Sequence, residues 1–120
     1  MILKYDDFNL TLKSKKGRNS YKSKFSENIH YFYDIIVGGK VVGDLEYSNV
    51  DENTFEIISI FIDNNYRGKN YAYLSIIELS KEIEKYNVIL WSAESSRKYW
   101  IKQGFKSFKN EEDYYIKELI

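Results

Sequence analysis

Between Tyr66 and Ala72 the sequence reads YRGKNYA, at the point where the β-branched and aromatic run FEIISIFI, Phe55 to Ile62, gives way to a helical stripe. A helix start exposes unpaired backbone N–H groups and the positive end of the helix dipole. A glycine-containing turn there can therefore wrap a diphosphate with main-chain donors. Arg67, Gly68, Lys69, Asn70, Tyr71 and Ala72 are the residues placed to form that cradle. Upstream, Glu56 stands between Phe55 and Ile57. Desolvation on a buried strand would raise its pKa toward the range in which a carboxylate works as a general base. Other chemistries are closed off by composition. The chain has no Cys and a single His, His30, so disulfides, thiolate nucleophiles, cysteine zinc sites and histidine metal clusters are excluded. His30 opens an apolar run and reads as structural, and no metal is expected.

The elements that must hold these residues follow from patterning. At 120 residues the chain is read as one domain, 1–120, with 43% hydrophobic residues to build a core and 30% charged residues to solubilise it. No apolar run approaches the ~20 residues of a membrane span. The start, MILKYDDFNL, lacks the charge-then-apolar pattern of a signal peptide, so a cytoplasmic location is expected. Eighteen basic and 18 acidic side chains cancel, which argues against global attraction to nucleic acid or an anionic membrane. The segment Lys13 to Lys24 nevertheless concentrates six basic residues and no acidic one. With Gly, Ser and Asn interspersed it reads as a solvated loop, with an acidic partner or nucleic acid, and a phosphate of a bound ligand, as the other readings.

Beyond it, IHYFYDIIV and KVVGDLEY flank Gly38 and Gly39 and predict a hairpin. FEIISIFI predicts a buried central strand. From Ala72 the apolar positions Ile76, Leu79, Ile83 and Tyr86 recur at helical spacing and predict a helix of about four turns. VILWSA predicts a second buried strand. SSRKYWIKQG predicts a short helix capped by Ser95 or Glu94 and ended by Gly104, and FKSF and DYYIKELI predict a final hairpin joined by KNEE.

With those elements in place the sequence resembles the GNAT superfamily of N-acetyltransferases. The family's turn signature is Arg or Gln, two residues, Gly, one residue, then Gly or Ala. Arg67 and Ala72 match its ends, and Asn70 stands where glycine is usual. The stretch Tyr99, Trp100, Ile101, Lys102, Gln103, Gly104 and Phe105 resembles the family's later signature of an aromatic, Lys, one residue, Gly, Phe. The resemblance implies an α+β domain whose mostly antiparallel sheet splays between two adjacent parallel strands, with two principal helices. The front departs from the family, which usually has two helices after its first strand, whereas Lys13 to Ser26 shows no amphipathic pattern.

The same resemblance implies acetyl-CoA as cosubstrate, its pantetheine arm pairing with the edge at Ile60, Phe61 and Ile62 and its diphosphate in the Arg67 to Ala72 turn. The acceptor would be a primary amine, on a protein lysine or N-terminus in preference to a small molecule. An ammonium near pKa 10.4 must lose its proton before attack, at a cost of roughly 4 to 5 kcal/mol near pH 7. Glu56 matches the place of the base in the family's protein-lysine acetyltransferases. Many members donate a proton to the departing thiolate from a tyrosine four residues before the final Gly. Here Trp100 holds that place and Tyr99 precedes it, about 100° away on a helix. Tyr99 is therefore the candidate acid, although a CoA thiolate can leave without one. Two other readings stay open: a degenerate acyl-CoA binder, and a small interaction or inhibitor module.

Overall fold

Leu10 and Leu12 alternate with Thr11, Lys13 and Lys15, and this period of two makes an edge strand, β1 (Leu10–Lys15). The expected basic loop is thus corrected at its start, because Lys13 to Lys15 continue the alternation and pair with the next strand. The structure, a computed structural model, describes residues 9–109 and 111–119. The leading MILKYDDF, Asn110 of the KNEE turn and Ile120 of the expected last strand lie outside the described residues. After β1 come β2 (His30–Val37), β3 (Lys40–Asn49), β4 (Thr54–Ile62), α1 (Tyr71–Ile83), β5 (Asn87–Trp91), α2 (Arg97–Lys102), β6 (Lys106–Ser107) and β7 (Tyr114–Glu118).

All seven strands form one sheet in the order β1-β2-β3-β4-β5-β7-β6. Every neighbouring pair is antiparallel except β4 and β5, which are joined through α1 and run parallel. The sheet has two unlike faces. One carries Ile35, Val42, Leu45, Tyr47, Phe55 and Ile57, and α1 packs Leu74, Ile76 and Leu79 against them. Ile76 and Leu79 are fully buried, each contributing roughly 1.5 to 3 kcal/mol of transfer free energy. The other face presents His30, Glu46, Ser48 and Glu56, neighbours across β2, β3 and β4.

α1 stops at Ile83, short of the expected Tyr86, because Glu84 turns left-handed at φ 57°. The N–H groups of Tyr86 and Asn87 then both donate to the Asn53 carbonyl, which pins the start of β5 beside the β3–β4 turn. The expected side-chain cap on α2 is also corrected. Residues 94–96 form a 3-10 turn, Ser96 already has helical angles, and no side chain caps the helix. Its far end follows the expectation: the Gly104 N–H donates to the Ile101 carbonyl (2.9 Å) and the Phe105 N–H to the Trp100 carbonyl (3.1 Å), the paired bonds of a Schellman motif. Its apolar contact is present as well, with the Trp100 and Phe105 rings 5.3 Å apart.

Gly104 sits at φ +98°, and a Cβ there would meet Lys117 Nζ at 2.8 Å. Gly104→Ala is expected to cost about 1 to 2 kcal/mol, the penalty of a left-handed non-glycine residue, seen as a lower urea midpoint at unchanged m value.

Candidate functional site

The parallel ladder between β4 and β5 holds over only four residue pairs, Thr54 with Asn87 to Ile57 with Leu90. Immediately beyond, β4 carries a bulge. Ile57 pairs with Tyr47 and Ser59 with Glu46, leaving Ile58 without a partner on β3. One extra residue increases the local twist and bend, so β4 turns away from β5 there. It also reverses the alternation: Ser59 and Phe61 face outward, while Ile60 and Ile62 pack on the core. From Ile58 to Ile62 the strand lacks a partner on its β5 side. The gap is a groove of about 910 Å³, lined by Ile58 to Ile62 on one wall, Trp91 to Ala93 and Tyr99 on the other, and closed at one end by the Arg67 to Ala72 turn.

That turn holds its donors open. Asn70, the residue before α1, adopts the left-handed conformation at φ 65°, ψ 23°, which an Asn tolerates well. The N–H groups of Gly68, Lys69, Asn70 and Ala72 have no partner among the described residues. Arg67 does not aim into the cradle: its Nε donates to the Ile62 carbonyl at 2.9 Å and its guanidinium lies 5.4 Å over the Phe61 ring. Lys69 is exposed. The anion-binding capacity of the turn is therefore mainly that of its backbone.

Tyr99 reaches the same turn from α2. Its hydroxyl accepts the Tyr73 N–H at 3.1 Å, one of the unpaired donors of the first turn of α1, and donates to Asn70 Oδ1. Tyr99 thereby ties α2 to the start of α1, and burial pushes its pKa up. This tie is invisible in the sequence, where the two residues are far apart.

Glu56 lies on the polar face, fully buried. What covers it is the segment 16–29, an extended strap that crosses the sheet in place of helices. The strap lies on Phe32 at Gly17, where a Cβ would come within 2.4 Å of the ring. It then donates the Ser20 N–H to Glu46 Oε2 (3.0 Å) and the Ser23 hydroxyl to Glu56 Oε1 (2.6 Å). It ends against the β6–β7 turn, with Phe25 edge-on to Phe108 and Tyr114 and Lys24 paired to Glu111. Glu56 Oε2 is buried without a hydrogen bond of good geometry, with the Ser26 hydroxyl nearby. Burial pushes the Glu56 pKa up, opposed by the Ser23 and Ser26 hydroxyls and by His30. His30 itself is buried with Nδ1 2.6 Å from Glu46 Oε2. Ser23, Ser26 and Tyr114, whose hydroxyl is in hydrogen-bonding reach of Ser23, are the surroundings of Glu56 that sequence reasoning missed. Short polar residues in a basic stretch give no signal of burial. Among the described residues no group of three or more His, Asp or Glu is placed to hold a metal ion, and no helix is long and apolar enough to cross a membrane.

The model of the acetyltransferase (GNAT) family matches residues 4–105 of the sequence. No curated protein matches it. The fold is similar to that of a GNAT acetyltransferase from Elizabethkingia anophelis with acetyl-CoA bound. There the TM-score is 0.62 at 11% identity, over 92% of this chain and 99% of that one. It is also similar to a GNAT acetyltransferase from Staphylococcus aureus Mu50, with TM-score 0.60 at 19% identity over 76% of this chain and 68% of that one. A third likeness is to a KacTA–DNA complex, with TM-score 0.63 at 13% identity over 92% and 93%. At these identities the likeness concerns the fold.

Because the Glu56 pKa is raised on folding, its neutral form is favoured in the native state. Its stabilising contribution is present below the ordinary value of 4.5 and is lost as pH rises through the folded value. Glu56→Gln, neutral at every pH, is therefore expected to become progressively more stable than the parent as pH rises. The gap should close in acid, as read by urea denaturation at a series of pH values.

Proposed function

The chain belongs to the GNAT acetyltransferase family, and from that premise we propose that residues 1–120 form one catalytic unit. It transfers the acetyl group of acetyl-CoA to a primary amine on a protein lysine or N-terminus, by direct attack on the thioester. The observation that carries this reading is the parting of β4 from β5 beside a turn in which the N–H groups of Gly68, Lys69, Asn70 and Ala72 have no partner among the described residues. An unpaired strand edge from Ile60 to Ile62 suits the amides of a pantetheine arm, which can pair with it as another strand would. The backbone from Arg67 to Ala72 suits the diphosphate. With the coenzyme fixed at two points, the thioester is held near the bulge at Ile58, and such positioning is worth roughly 7 to 11 kcal/mol of barrier.

Glu56 is the general base in this reading. It lies two residues before the bulge on β4, and its raised pKa brings it closer to that of the ammonium it must deprotonate. The Ser23 hydroxyl of the covering strap is already bonded to Oε1, so the proton reaches Glu56 through it or through water. Tyr99 remains the candidate acid for the thiolate: the residue lines the groove, and a proton lent from its hydroxyl would be drawn from its bond to Asn70.

A second reading, a coenzyme binder without turnover, is favoured by the sealing of Glu56 beneath Ser23. Incubation with acetyl-CoA and a panel of peptide and small-molecule amines, read by mass spectrometry, separates the two. Acetylated product supports transfer, whereas a thermal shift with coenzyme and no product supports the binder. For the enzyme, Glu56→Gln is expected to lower kcat/KM by roughly 10²- to 10⁴-fold while coenzyme affinity by calorimetry stays unchanged. Unaltered turnover would remove Glu56 from the mechanism.

A further inference from the structure

The strap that covers Glu56 is also where the positive charge of the chain is concentrated, and the position of that charge gives it a meaning. Lys15 is neutralised by Asp34 (2.7 Å) and Asp44 (3.1 Å), and Lys24 by Glu111 (2.5 Å). Lys13, Lys16, Arg18 and Lys22 are exposed and have no ion-pair partner among the described residues. Ser20 and Ser23 are held down on Glu46 and Glu56, so Arg18 and Lys22 flank the two anchor points directly above the buried carboxylates. At the strap's far end the β6–β7 turn, which meets it at Phe25 and Lys24, carries Glu111 and Asp113, paired to Lys24 and Arg97, and the exposed Glu112, which has no ion-pair partner among the described residues.

We propose that the strap is a docking surface for an acidic peptide that carries the acceptor amine, an inference that rests on the acetyl-transfer reading of the same site. An acceptor whose amine lies beside Asp or Glu residues is cationic at the reacting end and anionic around it. Its ammonium lies toward Glu112 at the end of the strap, and its flanking carboxylates meet Arg18, Lys22 and Lys16. From Gly17 over Phe32 on β2 to Ser23 over Glu56 on β4 the strap crosses three strands, a wider surface than a small molecule covers. The acetyl-transfer reading requires a primary amine able to attack a thioester, which a nucleic acid does not carry, and this favours a peptide. Interactions of this kind fall off beyond about 10 Å at 0.1 M salt, so the preference is strongest for carboxylates within a few residues of the amine.

The test uses fluorescein-labelled peptides with one lysine flanked by glutamates, by glycines or by arginines. Binding is followed by anisotropy and transfer by mass spectrometry, on the parent chain and on a Lys16→Glu, Arg18→Glu, Lys22→Glu variant. The glutamate peptide is expected to bind at least 10-fold more tightly than the glycine peptide at low salt and to lose that advantage in 0.5 M NaCl. In the variant the preference should pass to the arginine peptide, while the rate on the glycine peptide stays unchanged. Arg18→Ala with Lys22→Ala gives a milder version, with an intermediate loss. Equal binding of all three peptides, or a variant that keeps the parent's preference, overturns the proposal, as does a single-stranded RNA of equal charge that binds more tightly than the glutamate peptide. Transfer without discrimination among peptides sinks this inference and leaves the acetyl-transfer reading standing. Tight, salt-sensitive binding of the glutamate peptide without transfer does the reverse.

Discussion

Two parallel strands that share hydrogen bonds over four residue pairs and then separate are the constraint on which the rest of the molecule depends. Parallel neighbours need a crossover, and α1 supplies it, so its N-terminus arrives beside the gap as a matter of topology. The bulge at Ile58 bends β4 away and turns Ile60 and Ile62 back onto the core, so the strand stays anchored while its edge is free. Had β4 and β5 stayed zipped to Ile62, there would be no groove and no exposed edge. The polar turn would then cap an ordinary βαβ unit.

The second organising feature is the division of the sheet into an apolar face under α1 and a polar face under the strap. Burying Glu46, Glu56 and His30 is costly unless each finds partners. The strap supplies the Ser20 N–H and Ser23 hydroxyl, and Glu46 finds His30 as well. Among the described residues, Glu56 Oε2, His30 Nε2 and the Ser26 hydroxyl there are buried without a hydrogen-bond partner. Stability alone would favour apolar residues at such positions.

The sequence made much of this legible, and the limits have physical causes. The Gly38–Gly39 hairpin, the buried strands around Ile57 and Leu90, and the helical stripe through Ile76 and Leu79 are local patterns whose periodicity survives folding. The Gly104 stop was legible for the same reason. β1 was hidden because its outward residues are lysines and serines that also suit a loop, and only two leucines carry its inward face. The strap was hidden because Ser23 is buried through a partner 33 residues away, a relation no window contains. Tyr99 entered as a candidate acid through the resemblance, one step before the position of the family's tyrosine, but the bonds that join it to Tyr73 and Asn70 come from the tertiary approach of α2 to α1.

The order β5-β7-β6 carries a consequence for the way the chain is made. β7 lies between β5 and β6 and touches both, so β6 has no place in the sheet until β7 has arrived. A nascent chain halted before Tyr114 would expose the long flank of β5 and leave Phe25 of the strap without one of its two ring partners. Assembly therefore closes from the C-terminal side inward: the free flank of β5 and the ring contact that holds the strap over Glu56 are completed by the same late segment.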